Sequence, residues 1–141
     1  MTLDYWVVNA GEAKTLLWND AAPSLATFDL GNEFAVTAFN PATKTIGLAR
    51  NIDGDRLSRF LQSLLSPDMT LLYPVLQVRI VGGGSGPAYE TRLKDVLMAI
   101  RHADSGRNFI DIVSASTAEK SYPQSFKLTP LDGEIEAIHP A

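Results

Sequence analysis

The chain has 141 residues, 45% of them hydrophobic and 20% charged, with 12 Lys plus Arg against 16 Asp plus Glu and a net charge of −4. That length suits a single domain, 1–141, whose one core removes on the order of two-thirds of the unfolded chain's surface from water, and the composition is that of a globular protein rather than a disordered or membrane-spanning one. The acidic balance without a basic run argues against nucleic acid, because counterion release needs a concentrated basic face, and the absence of Cys excludes disulfides, thiolate metal sites and a Cys nucleophile.

Met1 to Val8 has neither a basic start nor a long apolar core, and no run approaches the roughly 18 apolar residues of a membrane span, so a cytoplasmic location without membrane insertion is expected. Tyr5 to Val8 reads as a short edge strand, closed by a turn at Asn9-Ala10-Gly11. Ala13 to Trp18 fits either a strand or a short helix, and Pro23 marks the entry to the next segment. Between Thr27 and Arg50 the pattern is that of a β-hairpin. Phe34, Val36 and Ala38 alternate with Glu33, Ala35, Thr37 and Phe39, and Ile46 and Leu48 resume the alternation after Asn40-Pro41-Ala42-Thr43-Lys44. Pro41 presets the φ of a type I turn and Asn40 suits its opening position. If Asn40 faces Lys44, Glu33 falls opposite Asn51 or, one register over, Arg50, so an acid and a base meet at the open end.

Leu57, Phe60, Leu61, Leu64 and Leu65 recur at helical spacing, which predicts a helix with one apolar stripe, capped by Asp53 or Asp55 and closed before Pro67. Leu71 to Val81 is apolar, interrupted by Pro74, and the alternation from Val75 to Val81 predicts a strand running into Gly82-Gly83-Gly84-Ser85-Gly86. This glycine loop lacks the Gly-Lys-Ser/Thr of a phosphate cradle and the spacing of a dinucleotide fingerprint, so a turn that lets backbone pass closely is the reading kept. Leu93, Val96, Leu97 and Ile100 predict a second helix, starting at Thr91 or around Pro87 and ending near Gly106. Phe109 to Val113 reads as a strand, Ser114 to Ser121 as a polar loop, and Phe126 and Leu128 lead through Pro130-Leu131-Asp132-Gly133 to a last strand with Ile135 and Ile138. No repeat or linker divides the chain.

The Thr27–Arg50 stretch resembles the segment around the nucleophile of the CheD chemoreceptor glutamine deamidases, whose fold is shared by the catalytic domain of cytotoxic necrotizing factor. Those enzymes carry a Thr, a Cys six residues later, a hairpin, and Gly-Leu-Ala-His with its His seventeen after the Cys; here Glu33 stands six after Thr27, and Arg50 closes Gly47-Leu48-Ala49-Arg50 seventeen after Glu33. Thr27 matches, whereas Glu33 replaces the Cys and Arg50 the His. The order of later elements also agrees, including a strand ending in Gly82-Gly83 and a closing strand, Asp-Gly turn and strand, so the likeness spans Thr27 to Ile138. It implies an α+β fold, a β-sandwich or bent mixed sheet flanked by two amphipathic helices. It further implies a degenerate deamidase that binds a protein through the former active-site cleft, with Thr27, Asn32, Glu33, Arg50, Gly82 and Gly83 at the binding surface. A chemoreceptor helix or a CheC-type phosphatase is the kind of partner the resemblance suggests.

Three uses of Thr27, Glu33 and Arg50 are open at this level. Glu33 and Arg50 can form a cross-strand ion pair with a structural role only, line a pocket that binds without turnover, or serve an altered hydrolysis with Glu33 as general base and Arg50 stabilising an anion. An adjacent guanidinium favours an ionised carboxylate and so weakens it as a base. An immunity-type interaction protein is a further alternative. His102, beside Arg101 near a helix end, and His139, in the tail, have no metal-ligand spacing with Asp or Glu, so neither a metal nor a cofactor is expected. Ser85 does not complete a Gly-x-Ser-x-Gly elbow because Pro87 takes its last place.

Overall fold

The period-two run from 34 to 40 forms the middle of a five-stranded sheet because both of its faces are covered, one by helices and the other by a second sheet. The computed structural model describes residues 5–17, 23–65, 76–84, 87–106, 109–115, 124–130 and 132–138. The elements in chain order are β1 (Trp6–Val7), β2 (Ala13–Leu17), β3 (Leu25–Thr27), β4 (Phe34–Asn40), β5 (Thr45–Arg50), α1 (Gly54–Leu64), β6 (Leu76–Gly82), α2 (Pro87–Asp104), β7 (Ile110–Ala115), β8 (Phe126–Leu128) and β9 (Ile135–Ala137). One sheet has the order β2-β5-β4-β6-β7 and the other β1-β3-β8-β9. Each is mixed: β6–β7 and β1–β3 are parallel, and the remaining pairs antiparallel. Among the described residues the fold is therefore α+β with two mixed sheets and two helices, as the resemblance implied at this level.

Two apolar layers result. Phe34, Val36 and Ala38 join Leu76, Val78 and Ile80 under Leu57, Leu61 and Leu64 of α1 and Val96, Ala99, Ile100 and Ala103 of α2. The alternate residues Ala35, Phe39, Leu48 and Val81 face Leu25, Phe126 and Leu128 of the four-stranded sheet. Gly47 lets α1 lie close on β5, since a Cβ there would come within 2.6 Å of the Phe60 ring and 2.7 Å of Leu64. Asn40, fully buried, ties the hairpin to the helix end by donating from Nδ2 to the Leu64 carbonyl at 2.9 Å, while its Oδ1 accepts from Ala42 N–H at 3.0 Å.

Several expectations are refined by the structure. The hairpin pairs Asn40 with Thr45 and Ala35 with Arg50, not Asn40 with Lys44. The loop keeps a fourth residue because Asn40 Oδ1 holds the Ala42 and Thr43 amides and Lys44 turns back through a left-handed φ of 55°. Ala13–Leu17 is a strand antiparallel to β5, and β1 is the edge of the four-stranded sheet beside β3. Asp53 occupies the N-cap of α1 without making a side-chain cap bond. Helix α2 begins at Pro87, and its buried face includes Tyr89, Ala99 and Ala103 beside the expected Val96 and Ile100, which leaves Leu93 and Leu97 partly buried at the margin. Ser114 is not loop: it and Ala115 extend β7 along β6 past a bulge at Val113. Trp18, Pro67, Leu71 to Val75 with Pro74, Ser85, Gly86, residues 116–121, Leu131 and His139 lie outside the described residues.

Arg79, 7% exposed, points from β6 into the layer between the sheets, where it donates to the Gly133 carbonyl at 2.9 Å and to Glu134 Oε1 at 2.9 Å. It thereby holds the turn between β8 and β9. That turn is closed by Asp132, whose Oδ1 accepts from the Glu134 amide at 3.0 Å and the Thr129 hydroxyl at 2.9 Å. The Glu134 N–H first, then the Thr129 hydroxyl, hold the Asp132 carboxyl below the usual carboxylate range. A carboxyl whose pKa is lower folded than unfolded adds stability that is complete above the unfolded value, near pH 4, and lost as pH falls through the folded one. Asp132→Asn is therefore expected to lower the urea midpoint at about pH 6 and to differ less from the parent at about pH 3; an equal gap at both would show that the carboxylate charge contributes nothing.

The layers also rank the leucines. Leu61 is 0% exposed in the core, so Leu61→Ala should cost about 2–5 kcal/mol. Leu97→Ala, at the margin of the same layer, should cost clearly less in the same urea series, and equal costs would contradict the assignment of the α2 face.

Candidate functional site

Glu33 and Arg50 meet, though not in either register the sequence suggested. Arg50 is paired with Ala35, and Glu33 lies two residues before Ala35 and so on the same face of the hairpin. The contact is therefore diagonal. A slip of one residue would have sent the two side chains to opposite faces. Arg50 Nη2 lies 2.7 Å and Nε 3.0 Å from Glu33 Oε1, and the side chains are 11% and 26% exposed.

The guanidinium does more than pair with an acid. Its Nη1 also donates to Thr27 Oγ1 at 3.1 Å and to the Phe28 carbonyl at 2.5 Å, and its Nη2 to the Asp29 carbonyl at 2.9 Å. An arginine has five N–H donors, and five hydrogen bonds are made here. Thr27, fully buried at the end of β3, is oriented by elimination: Arg50 can only donate and the Val8 carbonyl, 2.7 Å away, can only accept, so the hydroxyl hydrogen points at Val8. Arg50 thus fastens the end of β5 to the end of β3 in the other sheet and to the carbonyls that follow it.

The 28–33 loop is held from its other side as well. Leu30 N–H donates to the Gln124 carbonyl, Gly31 N–H to Gln124 Oε1 at 2.8 Å and Asp29 N–H to Ser125 Oγ at 3.0 Å. The glycines Gly82 and Gly83 stand against this loop: Gly83 N–H donates to the Glu33 carbonyl at 3.0 Å. At Gly83, with φ 100°, a Cβ would fall 2.2 Å from the Phe34 ring, and at Gly82, with φ 89°, it would fall 2.5 Å from the Glu33 carbonyl oxygen. Their use is close backbone passage with a left-handed φ, which no other residue type tolerates in that space.

All six residues expected at the site are therefore brought together, with Thr27, Glu33 and Arg50 in direct contact and Asn32, Gly82 and Gly83 on the adjoining rim. Arg92 was not anticipated. From α2 it donates to the Asn32 and Gly83 carbonyls, each at 2.6 Å, and lies 5.6 Å from the centroid of the Phe34 ring. The available signal was a cation near the N-terminal end of a helix, where the macrodipole disfavours it unless an outside partner holds it. His102 sits exposed in the last turn of α2, as its sequence context suggested, away from this cluster.

Chemically the cluster is occupied with itself. Arg50 has no N–H left for a developing anion, the Thr27 hydrogen is committed, and Glu33 Oε1 takes two N–H groups. Glu33 Oε2 has no hydrogen-bond partner among the described residues. Among those residues no group of three His, Asp or Glu is placed to hold a metal ion, and no described helix is long and apolar enough to cross a membrane.

Breaking one side of a partly buried pair leaves the other uncompensated, so Arg50→Ala is expected to cost about 3–5 kcal/mol, and Glu33→Ala less, because three of the Arg50 bonds survive it. The two should couple by at least about 0.5 kcal/mol in a double-mutant cycle read by urea unfolding, and strict additivity would remove the contact. No known family model matches the chain, and no curated protein matches it.

Proposed function

We propose that this chain is a non-catalytic, CheD-like domain that binds a protein partner at the rim of what in the deamidases is the substrate cleft. The observation that carries the reading is the saturation of Arg50: the position of the dyad base makes five hydrogen bonds to four protein acceptors instead of serving a nucleophile. The catalytic thiol and imidazole are replaced, and with them goes the chemistry that attacks an amide. What remains on the surface is a loop fixed from both sides, with Asp29, Gly31 and Asn32 exposed and one oxygen of Glu33 open. A surface ordered before binding avoids part of the entropy loss of association. Gly82 and Gly83 complete this rim from below, a cytoplasmic setting belongs to the same reading, and by resemblance the partner is a chemoreceptor helix or a CheC-type protein.

Isotope-labelled protein titrated with a receptor-helix fragment carrying glutamines, and separately with a CheC-type protein, tests this. With one of them the amide shifts should move at residues 29–33 and 82–84, Asn32→Arg should weaken binding at least about tenfold, and no ammonia should be released. Glutamine turnover abolished by Glu33→Ala would overturn the non-catalytic assignment, and the absence of shifts with both probes would overturn the binding one.

A further inference from the structure

On the outer layer, α1 and α2 lie side by side, joined by the Ser58 hydroxyl donating to the Ala99 carbonyl at 2.8 Å. Beside that contact opens a groove of about 400 Å³ lined by Asp53 and Asp55 at the start of α1 and by Asp95, Met98, Ala99 and His102 of α2. Met98 is 67% exposed, the most exposed large hydrophobic side chain among the described residues. None of the three carboxylates is in an ion pair among those residues, and Asp53 makes no side-chain cap bond. Arg92, at one end, spends its terminal nitrogens on the Asn32 and Gly83 carbonyls, and Arg59 stands at the other mouth with Gln62.

The α2 lining residues recur at i, i+3, i+4 and i+7, one stripe along the helix, so the groove follows the helix axis for about 10 Å. Its floor offers an apolar contact and its rim three unpaired negative charges. An exposed methionine wall is adaptable to several apolar shapes, and a ligand that satisfies both features has an apolar centre with cations one helical turn to either side. We propose that this groove docks an amphipathic helix of a partner protein that carries Lys or Arg three or four residues from an apolar anchor. The surface is separate from the 28–33 rim and does not depend on the reading given for it.

The probe is a synthetic amphipathic helix of about 18 residues built from Leu, Ala and Lys, against a twin with Glu for every Lys. Titrated into the isotope-labelled full chain at low salt, the Lys peptide should shift amides at residues 53–58 and 95–102, and the twin should not. Asp53→Asn and Asp95→Asn should each weaken binding about threefold, as the loss of an exposed charge pair does, and Met98→Gln should weaken it further, all with unchanged circular dichroism. Equal binding of the twin, shifts confined to 29–33 and 82–84, or unaltered affinity in the doubly substituted protein would overturn the proposal. So would spermidine that gives the same shifts at the same affinity, because charge alone would then suffice.

Discussion

The arrangement around Arg50 depends on a single stoichiometry, five N–H donors spent on four acceptor atoms, of which Glu33 Oε1 takes two. A buried guanidinium is costly unless each donor is met. The acceptors come from the end of β3, the loop after it and the residue before β4, so satisfying the cation fixes where the four-stranded sheet meets the five-stranded one. Arg79 and Arg92 likewise reach backbone carbonyls, at the β8–β9 turn and between α2 and the glycine loop, although Arg92 Nε is buried without a partner among the described residues. In a chain without Cys, three guanidinium groups reaching backbone carbonyls take the place that crosslinks hold in some small domains. Planarity and a fork of donors suit Arg to this, and Lys would cover fewer acceptors at each seam.

This explains which parts of the fold were legible. Elements whose apolar residues follow one period, such as α1 with Leu57, Leu61 and Leu64, or β4, were readable because burial alone places them. The hairpin register was not, because it turned on whether Lys44 belongs to the turn, and that was decided by Asn40 Oδ1 holding two amides. The α2 face was only half readable. Ala99 and Ala103 are buried there and let the helix approach the sheet, but small residues carry little weight in a pattern of large ones. Arg79 left no signal at all, since a charged residue alternating within a strand reads as solvent-facing unless a carbonyl on another sheet is known to await it.

The site shows the same division. That residues 33 and 50 touch was readable only in part, for with Asn40 facing Lys44 the two side chains fall on opposite faces, and only the register one residue over puts them on the same one. That Arg50 also takes Thr27 and the Phe28 and Asp29 carbonyls was not readable, because backbone acceptors have no letter in the sequence. The fourth participant, Arg92, is tied to the glycine loop by position: Gly82 pairs with Phe34 at the end of β4, so the loop after it must pass beneath the 32–33 segment, and the helix that follows carries the cation to it.

A catalytic dyad and a structural clamp make opposite demands on the side chains that form them. A nucleophile and its base need an unfilled valence facing the substrate and freedom to exchange a proton, whereas a clamp is best when nothing is left unfilled. The donor fork of Arg50 serves the clamp: its departure would strand two carbonyls, one hydroxyl and a carboxylate oxygen. Each of its bonds therefore makes the others harder to give up, and a rim supported in this way is rigid. Rigidity is a poor property for an active site that must reorganise around an intermediate, and a useful one for a surface that must present the same shape to a partner each time. Glu33 Oε2, which has no hydrogen-bond partner among the described residues, is an acceptor, so whatever meets it there has to bring a donor.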